Sequence, residues 1–200
     1  MEKNTIVLSC FPAIGRRWVI EHQENFDFSI INLEVDDYRW IYRKRTEDEL
    51  LRIKELWDTT PHLLSGKGYI NKIKDNTIKD INPNFPSNYI EEIQKYLGKV
   101  DIILTDFTES IRSTMKQNNI EYTLIYPSSD LYYEWLGRSY IQQTLKTQRF
   151  PLSLIQCNWE NFINSCNEDT TTKKIVIYEP NKFLSNYIHS KYFIDAKKEV

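Results

Sequence analysis

The stretch Cys10-Phe11-Pro12-Ala13-Ile14-Gly15-Arg16-Arg17 follows directly on an apolar run, Thr5 to Ser9, and offers the clearest chemistry in this sequence. Its spacing fits G-x-x-x-x-G-K-[ST], where glycines let successive backbone N–H groups curl around phosphate oxygens. In that pattern the lysine reaches the terminal phosphates and the hydroxyl residue binds magnesium. Here Cys10 takes the first position, Gly15 keeps the second glycine, Arg16 replaces the lysine and Arg17 replaces the Ser/Thr. Arg16 retains a positive charge, although arginine and lysine are not interchangeable in a tight cradle. Arg17 removes the magnesium-binding oxygen and adds a cation where the metal would sit. Phosphoryl transfer depends on positioning and on that metal's charge. An anion could still be held by the helix N-terminus and two guanidiniums. An ordinary β-turn-α connection with a surface arginine pair fits the same spacing equally well.

Several other residues have the right type and place. Asp106 ends the hydrophobic run Val100 to Leu104, where an acid could orient a metal, while Asp106-Phe107-Thr108-Glu109 also fits a helix cap. Asp36-Asp37 could meet a metal or a sugar, although paired acids after a strand are more often solvated. Arg112 and Arg138 could clamp phosphates, or simply lie on the surfaces of amphipathic helices. The run from Arg39 to Arg45 interleaves Trp40 and Tyr42 with cations, as nucleotide and nucleic-acid binders do; a solvated edge with snorkelling side chains is the plainer reading. His22, His62 and His189 are scattered without partner spacing. Cys10 could be reactive beside a helix N-terminus, but no His or Asp companion is identifiable. Trp18, Trp57, Trp135 and Trp159 read as core or interface residues.

The elements that must carry these residues alternate. Apolar runs at Thr5–Ser9, Phe28–Leu33, Val100–Leu104, Tyr122–Tyr126 and Lys174–Tyr178 predict five strands. Helices are predicted over Arg16–Gln23, from Thr46, from Pro86 to about Leu97, over Glu109–Gln117, Asp130–Lys146, Leu152–Ser165 and Lys182–His189. Thr46 and Glu49 form a capping box, followed by an apolar stripe of Leu50, Ile53, Leu56 and Trp57. Gly98 stops the helix after Pro86. Such alternation implies βαβ units and a mainly parallel five-stranded sheet flanked by helices. Nearly continuous apolar strands are expected when both sheet faces are covered. The expectation is one three-layer α/β domain over residues 1–200, with the polar and irregular stretch 58–84 as the candidate for an inserted or mobile segment.

Composition narrows the partners. The sequence is 40% hydrophobic over 200 residues, enough for a sizeable core. Its net charge of −2 gives no push toward general nucleic-acid binding or an acidic membrane surface. No apolar run approaches the roughly 20 residues that span a bilayer, and the N-terminal run is too short for a secretory signal. Three irregularly spaced cysteines predict reduced thiols and a cytoplasmic setting; Cys157 and Cys166, nine apart, fit no common zinc pattern. The excess of Asn, Ile, Lys and Tyr is what an AT-rich coding sequence produces.

Four segments, in order, carry a resemblance: Ser9-Cys10-Phe11-Pro12-Ala13-Ile14-Gly15, Asn82-Pro83-Asn84-Phe85-Pro86-Ser87-Asn88-Tyr89-Ile90, Tyr126-Pro127-Ser128-Ser129-Asp130-Leu131, and Glu179-Pro180-Asn181-Lys182-Phe183-Leu184-Ser185-Asn186-Tyr187-Ile188. Together the chain resembles phage and virus P-loop proteins related to (deoxy)nucleoside monophosphate kinases. The resemblance implies a P-loop NTPase-like fold and transfer of the ATP γ-phosphate to a nucleoside monophosphate, with Mg2+. It places the ATP phosphates at Phe11, Pro12, Ala13, Ile14, Gly15, Arg16 and Arg17, with Arg16 as a catalytic cation. Arg138 falls at a lid arginine, and Glu34 and Asp36 near the acceptor nucleotide. Beside the resemblance, the residue-level candidates remain Arg112 as a substrate-side phosphate clamp and Asp106 as a metal residue. Arg16 and Arg17 depart from the pattern. Two functions therefore stand side by side: a nucleotide-binding, kinase-like protein in the cytoplasm of a host cell, or an inactive pseudo-kinase reused with protein partners in an assembly such as a virion.

Overall fold

The computed structural model describes residues 4–59, 76–144, 152–169 and 173–188. They form two compact units, one from the chain up to Val35 and from Pro86 onward, the other from Asp36–Phe85. The first unit opens with β1 (Ile6–Cys10), α1 (Arg16–Glu21) and β2 (Ile30–Asn32). The second contains α2 (Asp36–Arg39), β3 (Trp40–Lys44), α3 (Glu47–Thr59) and β4 (Thr77–Ile81). The first then resumes with α4 (Ser87–Tyr96), β5 (Ile102–Asp106), α5 (Glu109–Gln117), β6 (Thr123–Pro127), α6 (Tyr132–Thr144), α7 (Leu152–Asn167), β7 (Lys173–Ile177) and α8 (Leu184–Ile188).

The main sheet is five-stranded and wholly parallel, in the order β2-β5-β1-β6-β7. The predicted α/β fold with a parallel sheet flanked by helices is the fold observed. β5 is buried at every position because β1 and β2 flank it and helices cover it. Its Ile102, Ile103 and Leu104 face the register partners Ile6, Val7 and Leu8 of β1. Each fully buried aliphatic side chain among them, which excludes the half-buried Ile6, contributes about 1.5–3 kcal/mol.

The order also fixes where a ligand crevice opens. From β1 the chain moves outward to β2, while from β5 it crosses β1 in the opposite direction to reach β6. With right-handed crossovers, α1 and α5 lie on opposite faces. The contacts agree, since α1 touches β2 and α8, whereas α4 packs on α5. Crevices in open parallel sheets form outside the carboxyl ends of strands whose connections diverge in this way. The residues after Cys10 sit at that edge.

The second unit differs from the expected irregular insertion. β3 and β4 pair antiparallel, with Tyr42 opposite Lys79. The unit begins at Asp36, earlier than residue 58, and residues 60–75 of the expected insertion lie outside the described residues. The capping box forms as read: Thr46 N–H donates to Glu49 Oε2 at 2.9 Å and Glu49 N–H to Thr46 Oγ1 at 3.3 Å. Among the described residues, no helix is long and apolar enough to cross a membrane.

Candidate phosphate-binding site

The loop after β1 is shaped from beneath by aromatic packing. Phe11 N–H donates to the Ile125 carbonyl at 3.0 Å, so the chain stays in the sheet for one more residue. The Phe11 ring is fully buried, with its centroid 4.7 Å from Phe107 and 5.7 Å from Trp159. Pro12 and Ile14 then have their carbonyls tied back into the fold. Trp135 Nε1 donates to Pro12 O at 2.8 Å, and Leu184 N–H donates to Ile14 O at 2.8 Å. Ala13 and Gly15 adopt left-handed φ values of 59° and 98°. The φ of 98° favours glycine at position 15, while a Cβ there would meet Phe183 Cδ1 at an ordinary contact distance of 3.4 Å.

The complementary atoms are left open. Among the described residues, the N–H groups of Ala13, Ile14, Gly15, Arg16 and Arg17 donate to no protein acceptor. Backbone in which left-handed residues alternate with right-handed ones is the kind that builds anion-binding concavities. Carbonyls held by the protein and amides left to a ligand suit a phosphate group.

The two arginines part company after the loop. Arg16 reaches inward: its Nη1 donates to Thr105 O at 3.1 Å, and its Nη2 lies 3.9 Å from Glu34 Oε2. Burial opposes its charge, but neighbouring Cys10, Glu34 and Asp106 outweigh that and raise its pKa. Arg17 turns outward and pairs with Glu21 at 2.6 Å on the exposed side of α1. Its side chain therefore does not join the loop's ligand set, contrary to expectation; only its backbone N–H remains there. It also does not put a cation where a metal would sit.

At the ends of β2 and β5, Glu34 accepts a hydrogen bond from Asn32 Nδ2 and faces Arg16. Tyr89 Oη donates to Leu33 O at 2.8 Å and accepts from Asp106 N–H at 3.1 Å, which locks the two strand ends together. Asp106 Oδ1 accepts the Thr108 N–H at 2.8 Å. This is the turn-capping alternative rather than a free metal-orienting carboxylate. With no side-chain oxygen at position 17 and Asp106 so engaged, the residues present do not fit a magnesium site of the P-loop kind. Asp36 belongs to the second unit, where its Oδ1 accepts Trp40 Nε1 at 2.9 Å.

Arg138, on α6, joins the loop cluster. Its guanidinium lies 4.1 Å over Trp135 and 4.0 Å over Phe183, the residues that touch Pro12 and Gly15. It donates to Glu134 and to Lys182 O, yet its buried Nη1 has no hydrogen-bond partner among the described residues. Burial lowers its pKa, partly offset by Glu134. Arg112 does not join. It is 2% exposed and donates to Phe107 O, Ser165 O, Ser165 Oγ and Asp169. The expectation of a phosphate clamp is corrected: this guanidinium pins α5 to the end of α7.

Sequence reading missed Tyr89, Trp135 and Phe183 as site residues. Trp135 carried one signal, an indole N–H that must find a partner when buried. No protein-family model and no curated protein matches this chain. Among solved structures, the chain is similar to TT1252 from Thermus thermophilus, with 8% identity and a TM-score of 0.48 over 100% of this chain and 99% of that chain. The fold and site define an α/β protein with an amide-lined loop at the carboxyl edge of a parallel sheet.

Proposed function

We propose that this protein is a nucleotide- or phosphate-binding P-loop kinase-like protein, related to nucleoside monophosphate kinases, whose catalytic loop is degraded. The observation that carries the reading is the run of open amides from Ala13 to Arg17, beside carbonyls of Pro12 and Ile14 already held by Trp135 and Leu184. Phosphates of ATP would lie against those amides, with the Arg138 guanidinium packed on Phe183 as a positive charge beside the loop. A monophosphate acceptor would enter toward Glu34. Transfer between them is disfavoured, because Arg16 is spent on Thr105 and Glu34 and position 17 supplies no oxygen for a metal.

The test is thermal stability with ATP, with and without magnesium. ATP at a hundredfold excess over its Kd adds about 2.7 kcal/mol to stability, and the gain should persist when magnesium is chelated. The reading fails if neither condition raises Tm. A second reading, a pseudo-kinase serving as an assembly component, is favoured by the outward face of α6. Tyr133, Tyr140 and Ile141 there are 82%, 63% and 59% exposed, as interface anchors would be. The double substitution Arg16→Lys with Arg17→Thr separates the two: renewed phosphoryl transfer marks a kinase ancestor with an otherwise intact site, and no gain favours the assembly role.

A further inference from the structure

The antiparallel ribbon of the second unit has a face that the loop chemistry does not use. Trp40 stands opposite Ile81, Tyr42 opposite Lys79 and Lys44 opposite Thr77. Directly opposed residues, and those two apart along a strand, point to the same side. These six side chains therefore share one face. The other face carries Ile41, Arg43, Ile78 and Asp80, and there Arg43 is neutralised by Asp80 and by Glu49 of α3.

On the first face Tyr42 is 71% exposed and Ile81 66% exposed. The Lys79 ammonium lies 4.2 Å over the Trp40 ring, and Lys44 is exposed two residues beyond Tyr42. The face thus presents an open aromatic ring between two lysines, and none of its six residues is acidic. An apolar partner would bury both ammonium groups without compensation. An acidic peptide would meet the lysines but leave the Tyr42 ring unused. A single strand of nucleic acid satisfies both, since its phosphates pair with cations and every base offers a π-face for stacking. With a net charge of −2, the chain has no general attraction for polyanions, so any such binding must come from a local patch.

We propose that the β3–β4 face binds single-stranded nucleic acid, with a base stacked on Tyr42 and neighbouring phosphates held by Lys44 and Lys79. The inference is independent of the loop after β1. It is tested by titrating the full chain into fluorescein-labelled oligo-dT and oligo-U at low ionic strength and following anisotropy; the two arms distinguish DNA from RNA. Saturable binding to either strand is expected. Tyr42→Ala should weaken it about tenfold or more, with Tm unchanged because the ring is exposed, while Tyr42→Phe should retain it. Lys44→Ala with Lys79→Ala should flatten the slope of log K against log salt by about 1.4. The proposal is overturned if neither oligonucleotide binds, if Tyr42→Ala binds as well as the unaltered chain, or if polyglutamate at equal charge displaces the strand completely.

Discussion

Cys10 occupies the first loop position at 1% exposure, and burial pushes its thiol up to about 12, a shift that the nearby Arg16 only partly reverses. It is a neutral packing residue, not the reactive thiol that its place before a helix suggested. Burial likewise pushes Cys166 up to about 11, whereas Cys157 is exposed on α7. With a thiol reagent such as DTNB at mildly alkaline pH, Cys157 should react fast, and Cys10 and Cys166 only after denaturant is added. Rapid modification of Cys10 in the native protein would contradict this packing. Arg112 gives a second prediction at the same scale. Its substitution by Ala removes one charged partner of the buried Asp169, which keeps its contacts with Lys116 and Tyr122. Breaking a buried pair from one side costs about 3–5 kcal/mol. Urea unfolding should show that loss, while ATP affinity, measured where the variant is folded, should stay unchanged. A selective loss of affinity would restore Arg112 to the ligand site.

The elements divide by how local their causes are. β1, β5 and β6 are legible as apolar runs because a parallel strand covered on both faces must be apolar nearly throughout. The Thr46–Glu49 box and Gly98 mark helix ends through contacts only a few residues long. β3 and β4 escaped notice because their strands mix charge with aromatic residues, and their stability comes from pairing across 37 residues, as between Arg43 and Asp80. Pairing of that kind is set by context rather than propensity. The site shows the same division. The loop was visible in its spacing, but the Trp135 bond to Pro12 spans 123 positions and the Arg112 bond to Asp169 spans 57. The second unit's charge network also predicts a pH response. Hydrogen bonds from Arg43 and from Thr46 N–H hold the Glu49 carboxyl down at about 2, against an ordinary 4.5. A carboxylate whose pKa is lowered on folding stabilises the folded form fully above its unfolded value. That contribution should be complete above pH 4.5 and fade as pH falls toward 2. Circular dichroism during acid titration checks it: Glu49→Gln should be less stable at neutral pH and lose this part of the acid dependence. An unchanged titration would show that the network contributes nothing.

At the scale of the whole molecule, a parallel sheet whose connections diverge at β1 opens its carboxyl edge, and the loop placed there keeps its amides free. In the same loop Arg16 is turned to Thr105 and Glu34, and Arg17 to Glu21. Under the function proposed above, phosphate binding without efficient transfer is the expected behaviour. Amide chemical shifts on addition of ATP or pyrophosphate, read in a 15N-labelled sample by heteronuclear correlation NMR, test this most directly. The largest downfield shifts should fall on Ala13, Ile14, Gly15, Arg16 and Arg17 and saturate together. Saturating ligand that leaves those five amides unmoved, or that moves only residues away from the loop, would contradict it.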